Sequence, residues 1–185
     1  IMGPMYAGKS TRLIHLYHKN IALMKRICVI NYSEDNRYDN KSLCTHDGVK
    51  IPANKLLELS ILMTKDYTDN YDMFIIDEAQ FYPDLVKVCK YLTDIGKDII
   101  VAGLSSDFQM KTFGHIIHLI PFCNNVEKIS TTCRFCSHRA YFTKRLTKET
   151  DPKKKEPKTL KSFMFRNNHK IFQSSVDHIY HSVTF

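Results

Sequence analysis

The chain has no apolar run long enough to cross a bilayer and no charged, apolar, small-residue leader of the secretory kind. A membrane-spanning helix and an exported precursor are therefore not expected, and the chain reads as soluble and cytoplasmic. It opens on Ile1, so residues ahead of it are expected to be missing from this stretch. It contains no internal repeat, which removes solenoids and propellers from consideration. A second Cys-x-x-Cys is also lacking: of the six cysteines, only Cys133 and Cys136 form a close pair. The other four (Cys28, Cys44, Cys89 and Cys123) are scattered and read as ordinary thiols, not as a disulfide framework.

The 185 residues present are 43% hydrophobic, enough for one full domain with a small appendage. The net charge of +8 suggests affinity for anions. Much of the excess sits in Pro152-Lys153-Lys154-Lys155-Glu156-Pro157-Lys158, with Lys161 close behind. A proline-flanked lysine run is a solvated loop, so the charge argues little for nucleic acid, and no stable nucleic-acid complex is expected.

Gly3-Pro4-Met5-Tyr6-Ala7-Gly8-Lys9-Ser10 fits the phosphate-binding pattern G-x-x-x-x-G-K-[ST]. Small residues let backbone N–H groups close around nucleotide phosphates. Lys9 then reaches the β- and γ-phosphates, and the Ser10 hydroxyl suits Mg²⁺. The loop is expected to open a helix whose positive end adds to the anion site, and Leu13, Leu16, Tyr17, Ile21 and Met24 supply its apolar stripe.

Beyond that helix, strand and helix patterns alternate as far as Gly103, which predicts a parallel sheet covered by helices. Ile27–Ile30, Met73–Ile76 and Ile99–Ala102 read as buried strands. Residues 33–50 read as a loop or loose hairpin, and Leu56, Leu57, Leu59, Ile61 and Leu62 suggest a helix. A further helix is expected from Pro83 to about Ile95. In the second part, Val126–Thr131 is a candidate strand, Cys133–Cys136 a knuckle-like turn, and Tyr141-Phe142 a returning strand. The stretch from Lys148 to His169 reads as loop.

The strand Phe74-Ile75-Ile76 delivers Asp77 and Glu78 at its carboxyl end, where open α/β sheets bind their ligands. Asp77 is placed to sit near a metal ion, and Glu78 to orient or deprotonate a nucleophile. Arg37, Lys144 and Arg145 are candidate cations for developing phosphoryl charge, with nothing local to single one out. Cys133 and Cys136 have metal-ligand spacing, but a structural zinc needs four ligands; His138, His169, His178 and His181 are the available imidazoles.

These residues together resemble the zinc-containing (type II) thymidine kinases of animals and poxviruses. The likeness runs from the phosphate loop through Asp35-Asn36-Arg37-Tyr38, Cys44-Thr45-His46-Asp47 and Asp77-Glu78-Ala79-Gln80-Phe81. It continues through Gly103-Leu104, Phe108-Gln109, Phe113, Cys133-x-x-Cys136 and Thr143-Lys144-Arg145-Leu146 to Tyr180-His181-Ser182-Val183. The resemblance implies a P-loop NTPase-like α/β domain over residues 1–130 and a small zinc-ribbon-like lasso domain over 131–185, closing on the nucleoside. It implies transfer of the γ-phosphoryl group of Mg-ATP to the 5′-hydroxyl of thymidine. Glu78 then stands as general base, with Lys9 and Arg37 as cations on the phosphate side. The nucleotide-binding set becomes Gly3 through Thr11 (Gly3, Pro4, Met5, Tyr6, Ala7, Gly8, Lys9, Ser10, Thr11) with Asp77 and Gln80. Met5, Phe81, Leu104, Phe108, Phe113, Thr143, Arg145 and Tyr180 match residues that enclose the nucleoside, and Cys133 and Cys136 match zinc ligands. A homotetramer and feedback inhibition by thymidine triphosphate follow from the same likeness.

The chain departs from the family in several places. Leu104-Ser105-Ser106-Asp107-Phe108 stands where the family has Leu-Asp-Gly-Thr-Phe, and Ser174-Ser175-Val176 replaces a Gly-Gly turn. The second cysteine pair should begin at Thr184, and the Lys-rich stretch after Pro152 has no counterpart. Two other readings compete: a nucleic-acid-dependent ATPase, since Asp77-Glu78-Ala79-Gln80 resembles a helicase box, and a nucleotide-binding relative without turnover.

Overall fold

A computed structural model describes residues 1–33, 42–45 and 48–144, together with the backbone of 161–163. Its centre is a parallel sheet of β1 (Ile27–Tyr32), β4 (Asn54–Leu56), β5 (Met73–Ile76) and β6 (Asp98–Val101), in the order β4-β1-β5-β6. The register sets Ile30 opposite Ile76 and Ile76 opposite Val101.

Beyond β6 the sheet continues through Met2, which bridges Gly103 on one side and Lys128 on the other, both in parallel. The Ile1 nitrogen donates to the Val101 carbonyl at 2.7 Å, and the Met2 N–H to that of Glu127 at 2.8 Å. Ile1 and Met2 are thus the strand that feeds the phosphate loop. The expected strand at Val126–Thr131 is reduced to that bridge, followed by the two-residue β7 (Thr131–Thr132).

The central strands β1 and β5 are largely apolar and buried because both of their faces are covered. Cys28, Ile30, Phe74 and Ile76 point to one side, where Tyr82, Leu85, Val88 and Leu92 pack on them from α3 (Leu85–Asp94) and the turn before it. Val29, Met73 and Ile75 point to the other, under Leu13 and Ile14 of α1 (Lys9–Ile21). Leu43 and Ile51 close the same face from the hairpin β2 (Ser42–Cys44) and β3 (Lys50–Pro52). Full burial of each such side chain contributes about 1.5–3 kcal/mol, so the sheet is a rigid platform for what its carboxyl ends carry.

The helix expected over Leu56–Leu62 does not form. Leu56 ends β4, Leu57 is exposed, and Ser60–Met63 is a single 3₁₀ turn followed by the short α2 (Lys65–Thr68). Leu59 and Leu62 are fully buried three residues apart, a spacing that one 3₁₀ turn satisfies as well as a helix does. The Leu59 N–H is taken by the Asp84 carboxylate at 2.8 Å, which ties this turn to the start of α3.

The second part begins with the β7–β8 hairpin, where β8 is Arg139–Ala140 and the Cys133–Cys136 turn lies between the strands. It continues as β9 (Phe142–Lys144), paired antiparallel with β10 (Lys161–Phe163), so three residues of the expected basic loop are strand. Among the described residues, no helix is long and apolar enough to cross a membrane. Every described cysteine is a free thiol; Cys28, Cys44 and Cys89 are buried, and burial pushes the Cys28 thiol up to about 11 and Cys89 to about 12.

Candidate active site

The carboxyl ends of adjacent strands meet at one edge: the phosphate loop after Met2, Tyr32 closing β1, Asp77-Glu78 after β5, and Gly103-Leu104 after β6. This is where an open α/β sheet binds its ligand, because loops diverge there and leave a crevice. The phosphate loop turns through Tyr6 and Gly8 in the left-handed region, with φ 61° and 85°. Helix α1 starts directly after Gly8, whose carbonyl accepts the Arg12 N–H at 2.9 Å. Lys9 Nζ lies across the loop, donating to the Gly3 carbonyl at 3.1 Å and the Pro4 carbonyl at 2.9 Å. A phosphate group in the loop competes for the same ammonium. Beside the loop, an open groove of about 440 Å³ runs along α1, lined by Gly8, Thr11, Arg12 and Glu127. The Arg12–Glu127 ion pair spans it at 3.2 Å.

Asp77 is buried and accepts two hydrogen bonds, from the Ser10 hydroxyl at 2.8 Å and from the Glu78 N–H at 2.9 Å. Burial, and next the neighbouring Glu78 carboxylate, push its carboxyl up to about 6, against the opposing pull of Ser10, the Glu78 N–H and Lys9. Ser10 and Asp77 are hard oxygen donors facing each other, the donor set a Mg²⁺ ion takes.

Glu78 holds φ 54°, a left-handed backbone rarely adopted by a non-glycine residue. The strain turns the chain sharply out of β5 into the 3₁₀ turn Ala79–Phe81, so the half-buried Glu78 side chain leaves the strand line. Its Oε2 accepts from Gln80 Nε2 at 2.6 Å, and Gln80 Oε1 accepts the Leu104 N–H at 2.9 Å. Aromatic rings line this end of the sheet. Phe81 stacks on Tyr32 with ring centroids 4.9 Å apart and meets Phe113 edge-on at 5.5 Å. Leu104 and Phe113 are buried, and Phe108 is half-buried on the loop between them. Asp107 organises that loop: its carboxylate accepts the Gln109 and Lys111 N–H groups at 2.8 and 3.0 Å. The departure at Ser105-Ser106-Asp107 therefore still builds a closed turn.

Thr143 reaches this edge from β9, where its hydroxyl accepts the Met5 N–H at 2.9 Å. That bond joins the second part of the chain to the phosphate loop. Sequence reasoning missed Tyr32 and Gly114, and it named Gly103 only as a strand end and as part of the family motif Gly103-Leu104. The strand ending at Tyr32 was the available signal, since β1 neighbours β5 in the sheet. Arg37, Arg145 and Tyr180 lie outside the described residues.

Cys133 is buried and Cys136 exposed on their turn, which the Cys133 carbonyl closes by accepting the Ser137 N–H at 3.0 Å. His138 Nδ1 sits 2.7 Å from the Cys136 carbonyl. Among the described residues no group of three or more His, Cys, Asp or Glu side chains is placed to hold a metal.

Gly114 abuts the turn that carries Gln80. At φ 62°, a Cβ there would run into the Gln80 carbonyl. Gly114→Ala is expected to destabilise the protein by about 2–3 kcal/mol, combining backbone strain with overpacking. Thermal unfolding should show a loss of roughly 5–10 °C; an unchanged midpoint would mean the turn relaxes freely.

A serine–aspartate pair under a phosphate loop, with a second carboxylate one residue on, belongs to the chemistry of P-loop nucleotide-binding proteins. The family model described as thymidine kinase matches residues 1–159. The chain is 39% identical over 154 residues to "Thymidine kinase a" of Arabidopsis thaliana, covering 81% of this chain and 65% of that protein. It is 40% identical over 151 residues to a thymidine kinase of Yaba monkey tumor virus, covering 82% of each. A thymidine kinase of Choristoneura fumiferana entomopoxvirus is 42% identical over 147 residues, covering 77% of this chain and 80% of that one. The chain belongs to the thymidine kinase family; it spans just under two thirds of the plant relative and about four fifths of the viral ones.

Proposed function

We propose that the chain transfers the γ-phosphoryl group of Mg-ATP to the 5′-hydroxyl of thymidine, giving dTMP. The observation that carries this reading is the Glu78 carboxylate at the carboxyl end of β5, next to the Ser10–Asp77 pair on one side and the Phe81–Phe113 aromatic pair on the other. A carboxylate there suits a hydroxyl nucleophile, and aromatic faces suit a base.

In this reading Glu78 accepts the proton of the 5′-hydroxyl as its oxygen attacks the γ-phosphorus and the bond to the β-phosphate oxygen breaks. Lys9 leaves the Gly3 and Pro4 carbonyls for the phosphates, and Arg37 adds a second cation. The backbone from Gly3 to Thr11 cradles the phosphates. Ser10 and Asp77 would hold Mg²⁺, which neutralises charge on the transferring phosphoryl oxygens. Met5, Phe81, Leu104, Phe108, Phe113, Thr143, Arg145 and Tyr180 enclose the nucleoside. Residues 131–185 form a lasso-bearing unit, for which the Thr143–Met5 bond is the supporting contact. Cys133 and Cys136 are two ligands of a structural zinc. A cytoplasmic homotetramer inhibited by thymidine triphosphate, with no stable nucleic-acid complex, completes the reading and rests on the family likeness. The helicase-like alternative has no support among the named relatives, which are kinases.

The test is ATP-dependent phosphorylation of thymidine beside deoxycytidine and deoxyguanosine, with zinc content measured on the same sample. Thymidine-selective turnover is expected. A folded protein that binds ATP and thymidine without turnover would replace this reading with the binding-only relative, and ATPase activity stimulated by single-stranded nucleic acid would favour the motor.

A further inference from the structure

We propose that Gln80 is a positioning residue, which couples the loop facing the nucleoside to the Glu78 carboxylate. The inference rests on the reading of Glu78 as general base, and it gives Gln80 a role other than contact with ATP.

Gln80 is 4% exposed, and both ends of its amide are engaged. The direction of these bonds is forced. A backbone N–H can only donate, so the Leu104 N–H must meet Oε1, and Nε2 then necessarily faces Glu78. Turning the amide over would set N–H against N–H and oxygen against carboxylate. The bond to Glu78 is short, 2.6 Å, as expected when a carboxylate accepts.

The neighbouring backbone leaves Gln80 little room. A Cβ on Gly103 would lie 2.6 Å from Gln80 Oε1 and 3.2 Å from the Ala79 nitrogen. At the other end of the same loop, Gly114 presses on the Gln80 carbonyl. Both ends of the 103–114 segment therefore bear on this one residue, and between them lie Leu104, Phe108 and Phe113. A shift of that loop when a nucleoside seats moves Oε1 and, through the rigid amide, Nε2 and the carboxylate it holds. The left-handed backbone of Glu78 aims its side chain away from the strand line, where Gln80 Nε2 meets it.

The test compares the full chain with Gln80→Met, which keeps side-chain length and removes both polar ends. Expected is a fall of about 100-fold in kcat for thymidine, the scale of a misplaced reacting group, with KM for ATP unchanged. In a Glu78→Gln background the same substitution should lower the residual kcat no further, because the group it positions is already gone. Gly103→Ala keeps the Gln80 amide but displaces its Oε1, since the new Cβ would lie 2.6 Å from it; it should lower kcat in the same direction and provides a second variant beside Gln80→Met. A kcat for both variants within about threefold of the parent overturns the inference. So does a full multiplicative loss in the Glu78→Gln background, which would mark a purely structural role. Parent protein that turns over thymidine while both variants match it sinks the coupling alone. Parent protein with no nucleoside kinase activity overturns the reading of Glu78 and the coupling together.

Discussion

Glu78→Gln is expected to lower kcat for thymidine phosphorylation by about 10²–10⁴-fold, the usual contribution of a positioned general base. The substitution is nearly isosteric and does not alter the left-handed backbone at this residue. Its amide oxygen can still accept from Gln80 Nε2, so the local hydrogen-bond geometry survives and the loss reports on proton acceptance. ATP affinity should be unchanged, because the phosphate loop, Ser10 and Asp77 are untouched. Single-turnover rates with calorimetric ATP binding separate the two effects. Turnover within about tenfold of the parent would remove Glu78 from the role of base.

Asp77→Asn is expected to act in opposite directions on stability and activity. The folded pKa of Asp77 is raised from 3.8 to about 6, so between those values the folded state holds a proton the unfolded chain has released. Its stabilising contribution is therefore full below pH 3.8 and is lost as pH rises through about 6. Above that, the protein carries a buried carboxylate at a penalty on the order of 1–3 kcal/mol. Asparagine removes the charge and keeps both contacts: its oxygen accepts the Glu78 N–H, and its NH₂ faces a Ser10 hydroxyl that turns to accept. Without Mg²⁺ or nucleotide, the variant should melt several degrees above the parent at pH 8, and the difference should close toward pH 4. Turnover should be lost, because an amide is a poor ligand for the cation that Ser10 and Asp77 suit. Equal melting at pH 8 would show that water or a nearby cation already neutralises the carboxylate.

The parts of the site that could be read along the chain depend on near neighbours in sequence. The phosphate loop needs its glycines and Lys9-Ser10 at covalently set spacing, and α1 follows because the loop ends where a helix can begin. Asp77 and Glu78 directly follow an apolar strand, so their place at a sheet edge was fixed once that strand was recognised. The misreading of Leu56–Leu62 shows the limit. Apolar spacing of three or four residues fits a helix, but here it serves a strand end and one 3₁₀ turn, because β1 offers Leu56 an edge to pair with.

By itself, the amino-acid sequence determined the phosphate loop, the acidic pair, the buried strands and the family, since each lies in contiguous residues with local chemistry. Only the tertiary structure decided how they combine. It brought the Thr143 hydroxyl to the Met5 N–H across 138 positions, and it set Met2 between Gly103 and Lys128 as the strand that launches the loop. It stacked Tyr32 on Phe81 and wedged Gln80 between Glu78 and Leu104. These are non-local contacts, set by strand order and by the direction in which each hydrogen bond must run, and no local pattern along the chain encodes either.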